Sequence, residues 1–181
     1  MKRVVLITGG ARSGKSAFAE KLASASGGRK AYIATAPVMD AEMAARVEKH
    51  RTQRAGEGWA TIEEQLDPAE KIKACSGMYD VVLVDCLTLW INNLMYHSDL
   101  QGEAMDETEM KKRCDGLKSA CGDFGGVVIF VINEVGLGIV PDNPLSRRFR
   151  DLSGRCSQSI AQWADQVTLV CCGLPLHLKN Q

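Results

Sequence analysis

An α/β fold, a mainly parallel, doubly wound sheet with helices on both faces, is what this sequence predicts, and three observations predict it. Short apolar runs rich in β-branched residues recur at residues 4–7, 31–34, 81–84, 127–132 and 167–172, each of a length suited to a strand buried on both faces. Helical patterns separate the runs, and strands separated by helices imply right-handed crossovers into a parallel sheet. A glycine-rich turn stands between the first run and the first helix. Ligands of such sheets lie beyond the carboxyl ends of the strands, so the residues just after each run are the candidates for chemistry.

The first run leads into GGARSGKS, residues 9 to 16, which satisfies G-x-x-x-x-G-K-[ST]. Strand, glycine-rich turn and helix in this order make it a P-loop, so the sheet is expected to be of the P-loop NTPase, RecA-like type. Backbone N–H groups of Gly9, Gly10, Ala11, Arg12, Ser13 and Gly14 would curl around phosphate oxygens, Lys15 would reach the β- and γ-phosphates, and the Ser16 hydroxyl would ligate Mg²⁺. The helix behind them adds its positive end to the same anion. A turn that needs only positive φ leaves Lys15 and Ser16 unexplained. The helix over residues 16–25 is alanine-rich and closed by Gly27-Gly28.

The second run ends in Ala34-Thr35-Ala36, and Asp40 is placed to cap a helix carrying Met43 and Val47. Glu42, Arg46, His50 and Arg54 follow at intervals of four. Two guanidiniums beside the imidazole disfavour its cationic form and leave a neutral ring nitrogen free as a nucleophile, while the same arginines suit phosphate. Spacing alone favours a plainer alternative, an exposed Glu42–Arg46 pair with His50 complementing a helix C-terminus. His97 and His177 have no neighbourhood that suggests chemistry.

The third run ends in Asp85 (VVLVD), the form of a Walker B strand whose carboxylate holds Mg²⁺; the alternative is an Asp capping the helix that begins near Leu87. The fourth ends in Asn133-Glu134, followed by Gly136 and Gly138. For Glu134 a general base, a second metal contact and a strand-end carboxylate bonding nearby N–H groups all stay open. Residues 98–109 are polar and acidic, a surface loop or the start of an exposed helix. Asn143-Pro144 then opens a helix whose Leu145, Phe149, Leu152, Cys156, Ile160 and Trp163 form a core stripe.

With 181 residues the chain is expected to form one domain, residues 1–181, a P-loop nucleotide-binding domain. Its 22 basic and 22 acidic side chains cancel, which gives no global field for nucleic acid or an anionic membrane. The apolar stretch near the N-terminus is too short for a signal segment, and no run approaches the ~18 residues of a membrane span. The seven cysteines (Cys75, Cys86, Cys114, Cys121, Cys156, Cys171, Cys172) include no C-x-x-C pair, and are read as buried free thiols in a reducing cytoplasm rather than bridges or zinc ligands.

GGARSGKS, YIATA, EMAARVEKHR, VDCLTLWINNL and NEVGLGIVP, in this order, resemble the bifunctional adenosylcobinamide kinase/adenosylcobinamide-phosphate guanylyltransferase family of cobalamin biosynthesis, almost end to end. The resemblance implies a cytoplasmic two-step enzyme. ATP or GTP phosphorylates the aminopropanol hydroxyl of adenosylcobinamide; GMP from GTP then joins that phosphate, giving adenosylcobinamide-GDP and pyrophosphate. It implies a covalent guanylyl-histidine at His50, with Lys15 beside it in catalysis. Nucleotide contacts carry over onto Gly9–Ser16, onto Ala34, Thr35 and Ala36, onto Arg51, Thr52, Gln53 and Arg54, and onto Glu63 and Asp85, with Mg²⁺ on Ser16 and Asp85. It also implies a homotrimer, for which Trp90 and Leu94 are expected to offer exposed apolar side chains. Lys49 stands where relatives often have a second histidine, Ala55 where an arginine-proline pair is common, and Asp85 where some have glutamate. A guanylyltransferase-only member, a small-metabolite kinase and a nucleotide-dependent switch protein are the competing readings.

Overall fold

The computed structural model describes residues 2–37, 56 and 58–180. The predicted helix after Asp40, with Met43, Val47 and the Glu42–Arg54 ladder, lies outside them. The described elements, in chain order, are β1 (Arg3–Gly9), α1 (Lys15–Ser26), β2 (Lys30–Ala34), β3 (Trp59–Glu63), α2 (Pro68–Ala74), β4 (Val81–Asp85), α3 (Leu87–Gln101), α4 (Glu107–Asp123), β5 (Val127–Asn133), α5 (Pro144–Trp163), β6 (Gln166–Cys171) and β7 (Leu174–Asn180). The seven strands form one sheet in the order β3-β2-β4-β5-β1-β6-β7. Only β7 runs antiparallel.

Side-chain alternation along the strands builds two cores. Val4, Leu6, Ile33, Val82, Val84 and Phe130 face the side covered by α2, α3, α4 and α5. Val5, Ile7, Tyr32, Leu83 and Val131 face the other side, where Ala19 and Ala23 of α1 pack. Their small side chains let α1 lie close to the sheet. The predicted doubly wound sheet with helices on both faces is the observed one.

Several local expectations change in three dimensions. Residues 98–109 divide between the last turn of α3, a connection and the first turn of α4. In α5, Leu152, Cys156 and Ile160 are buried and Phe149 and Trp163 pack against them, but Leu145 in the first turn points outward. Trp90 and Leu94 are 2% and 4% exposed, which corrects the expectation that they lie on the surface. They sit between helix and sheet, and Trp90 Nε1 donates to the Leu66 carbonyl at 2.9 Å. The exposed apolar side chains are elsewhere: Tyr96 and Leu100 on the outer side of α3, Leu137, Ile139 and Val140 after β5, and Leu174, Leu176 and Leu178 along β7.

Candidate active site

Parallel pairing aligns the strand ends, and with them the residues singled out in the sequence. Glu63, Ala34 and Asp85 stand in one row across β3, β2 and β4, while Gly9 pairs with Asn133. Two strand spacings separate Glu63 from Asp85, and two separate Asp85 from the P-loop strand, about 10 Å in each case. β5 is the strand between Asp85 and the P-loop.

The loop from Gly9 to Lys15 is held from two sides. On one, the Glu134 N–H donates to the Gly9 carbonyl at 2.9 Å; on the other, the Gly173 N–H at the β6–β7 turn donates to the Ser13 carbonyl at 2.9 Å. A Cβ at Gly9 would lie 2.3 Å from the Val170 carbonyl oxygen, and Gly14, at φ 95°, brings its backbone against the Cα of Gly173. Only glycine permits both the approach and the angle. Lys15 is 8% exposed and its Nζ donates to the Gly10 carbonyl at 3.1 Å, folding the ammonium back across the loop.

Three observations fit this loop to a phosphate group. The Ser13 hydroxyl is buried and, among the described residues, has no hydrogen-bond partner. Gly14 caps α1 without a side chain, and the first turn of α1 holds no acidic residue, so its positive end is uncompensated. Asp85 is half-buried, and among the described residues its carboxylate makes no hydrogen bond or ion pair, leaving it available to a cation. It does not cap α3. The cap is Cys86, which uses no side-chain bond. Burial, then the neighbouring Asp85 carboxylate, push the Cys86 thiol up, so it stays a neutral thiol rather than a nucleophile.

Thr35 is wholly buried, and its hydroxyl donates to the Cys86 carbonyl at 2.7 Å while accepting the Cys86 N–H at 2.8 Å. Its carbonyl accepts from Asn93 Nδ2 at 2.8 Å, and the same amide reaches the Gln65 carbonyl at 3.1 Å. Thr35 therefore locks the strand ends of β2 and β4 together, and Asn93 on α3 ties both to the chain after β3. Ala36 is half-buried beside this clamp, and Glu63 is exposed. Thr88 performs the same service one strand over, accepting the Asn133 N–H at 2.7 Å. Sequence reasoning missed Asn93 and Thr88; the available signal was a polar residue inside the otherwise apolar segment LTLWINNL.

The Glu134 carboxylate accepts the Gly136 N–H at 2.6 Å, which shapes the turn after β5. That turn borders a cleft of about 460 Å³ lined by Glu107, Gly136, Arg150, Asp151, Gly154, Arg155 and Gln158. His177 sits in β7 with Nδ1 3.1 Å from both Gln166 Nε2 and Thr168 Oγ1, and His97 lies on α3. The structure thus gathers Gly9–Ser16, Ala34–Ala36, Glu63 and Asp85 at one sheet edge. His50, Arg51, Thr52, Gln53 and Arg54 lie outside the described residues.

Comparison with known proteins reaches almost the whole chain. The family model described as cobinamide kinase / cobinamide phosphate guanyltransferase matches residues 5–178. The bifunctional adenosylcobalamin biosynthesis protein CobP of Pseudomonas aeruginosa is 43% identical over 97% of this chain and 97% of its own. The corresponding CobU proteins of Escherichia coli and Salmonella typhimurium are 41% and 38% identical, each over 97% of this chain and 99% of theirs. Among solved structures, an ATPase from the type III secretion system of pathogenic bacteria aligns with a TM-score of 0.60 at 9% identity, over 93% of this chain and 51% of that one. This last likeness is one of fold, that of a RecA-like P-loop NTPase.

Proposed function

The chain belongs to the cobinamide kinase / cobinamide phosphate guanyltransferase family, bifunctional enzymes of adenosylcobalamin biosynthesis, and on that footing we propose how its residues divide the two reactions. The kinase step moves the γ-phosphoryl of ATP or GTP to the hydroxyl of adenosylcobinamide, with Lys15 and the N–H groups of Gly9–Gly14 easing charge on the leaving oxygen. In the second step a ring nitrogen of His50 attacks the α-phosphorus of GTP. A P–N bond forms, the P–O bond to pyrophosphate breaks, and the P-loop holds the departing pyrophosphate. A phosphate oxygen of adenosylcobinamide phosphate then displaces the histidine, breaking the P–N bond and giving adenosylcobinamide-GDP. Ser16 and Asp85 would hold Mg²⁺, which neutralises phosphate charge when bound.

The observation that carries this reading is the family match over residues 5–178, which spans both the P-loop and the segment containing His50. It is supported by the Ser13 hydroxyl and the Asp85 carboxylate, neither of which has a hydrogen-bond partner among the described residues, at the same sheet edge. Ala34, Ala36, Glu63 and Arg51–Arg54 complete the nucleotide contacts, with Thr35 acting as a positioning residue. The exposed Leu137, Ile139 and Val140, next to the P-loop through Glu134, offer an apolar border to a large corrinoid. One domain, a cytoplasmic location and a homotrimer complete the proposal. Five buried free thiols suit a reducing compartment, no helix among the described residues is long and apolar enough to cross a membrane, and the leucines of β7 suit a subunit contact.

The test is a covalent adduct. Incubated with GTP labelled in the α-phosphate, the protein is expected to carry an acid-labile, base-stable label that His50→Ala abolishes while phosphorylation of adenosylcobinamide persists. An unlabelled wild type, or a labelled His50→Ala, would overturn the assignment.

A further inference from the structure

Five of the seven cysteines are buried, whereas Cys171 and Cys172, adjacent in sequence at the β6–β7 turn, are both exposed. Their sulfurs lie 3.8 Å apart. That is well beyond the ~2.05 Å of a disulfide. It is the separation of two thiolates on one tetrahedral cation, since two bonds of about 2.3 Å at the tetrahedral angle place the sulfurs about 3.8 Å from each other.

The turn that presents these thiols also supports the P-loop. The Gly173 N–H holds the Ser13 carbonyl, the Val170 carbonyl fills the space a side chain at Gly9 would need, and Gly14 rests on the Cα of Gly173. Cys172 itself stands at φ 52° and Gly173 at 78°, so the whole reversal is made within two residues.

We propose that Cys171 and Cys172 form a bidentate thiolate site for a soft divalent cation of the Zn²⁺ or Cd²⁺ type, and that its occupation weakens nucleotide binding through the Gly173–Ser13 contact. In the binding step two S–H protons pass to solvent, two sulfur–metal bonds form, and water fills the remaining coordination positions; nothing is oxidised or reduced. The chelate ring fixes both side-chain torsions and the peptide between them. A phosphate must draw Gly9–Gly14 around itself, and a turn stiffened in the geometry it already holds resists that movement.

The experiment uses the full chain, kept reduced, titrated with Cd²⁺ alone. Absorbance reads the ultraviolet sulfur-to-cadmium charge-transfer band, and fluorescence of a labelled GDP reads nucleotide affinity with and without the metal. Expected are one Cd²⁺ per chain and a fall in GDP affinity of about tenfold, inside the 5–150-fold span of ordinary site-to-site coupling. Cys171→Ser and Cys172→Ser should each lose the band and the metal's effect on GDP. An undiminished band in the double variant, or no band in the wild type, overturns the thiol site. A GDP affinity indifferent to bound Cd²⁺ overturns the coupling. Failure of the metal-free protein to bind GDP would instead overturn the nucleotide reading of the P-loop, and the band would still decide the thiol site.

Discussion

Helices α1 and α3, which follow the strands ending in the P-loop and in Asp85, begin differently from α2, α4 and α5. The second group is capped by side chains. Asp67 accepts the Glu70 N–H at 3.2 Å, Asp106 the Glu109 N–H at 2.8 Å and Asn143 the Ser146 N–H at 2.7 Å. Acidic residues add to the first turns of α2 and α4. Helices α1 and α3 have neither a side-chain cap nor an acid in the first turn. A cap of this kind stabilises by about 1 kcal/mol, but it occupies N–H groups that a phosphate would otherwise use. Where the chain keeps its helix ends open, that stabilisation is forgone, and at α1 the open N–H groups are those the proposed phosphate would use. Tertiary contacts hold those ends instead, Gly173 and Glu134 for the P-loop and Thr35 for Cys86.

The strongest test of this contrast is Lys15→Ala, which removes the cation from an open end. Both phosphoryl and guanylyl transfer should fall by about 10²–10³-fold. The melting temperature should move by no more than the about 2–4 °C that corresponds to 1 kcal/mol in a chain of this size. A large drop in melting temperature with activity nearly kept would reverse the roles assigned to the two groups of helices.

Thr35→Val separates holding from binding at the start of α3. The shape is kept, but the buried Cys86 N–H loses its partner while its carbonyl keeps the Trp90 N–H, so urea unfolding should register a loss of about 1–3 kcal/mol, with nucleotide affinity falling alongside. Weaker nucleotide binding at unchanged stability would show that the hydroxyl contacts the nucleotide directly. The smallest effect belongs to a capped helix. Asp106→Ala should cost about 1 kcal/mol in the same unfolding measurement while both activities stay at the wild-type level. Lost activity there would mean that α4 reaches the site.

The legible parts of this molecule are those whose signals are local. β1, the P-loop and α1 lie within a short stretch of chain, and the glycines, Lys15 and Ser16 follow from how backbone must turn around a phosphate. β4 and Asp85 were equally plain. β3 was not, because a half-buried strand near the sheet edge shows neither a continuous apolar run nor a clean alternation. α4 is polar over much of its length and hides a narrow stripe of Met110, Cys114, Leu117 and Cys121. The burial of Trp90 and Leu94 is not legible because α3 is apolar on most sides, and its sequence does not say which face meets the sheet.

By itself the sequence determined the class of sheet, the phosphate-binding loop, Asp85 at a strand end and membership of a family, all of which rest on residue order over short spans. Which distant residues meet was decided by the sheet order β3-β2-β4-β5-β1-β6-β7. That order comes from long-range pairing and burial that no local period encodes. It brings Thr35 to Cys86, Gly173 to Ser13, and two exposed thiols to the back of the phosphate loop.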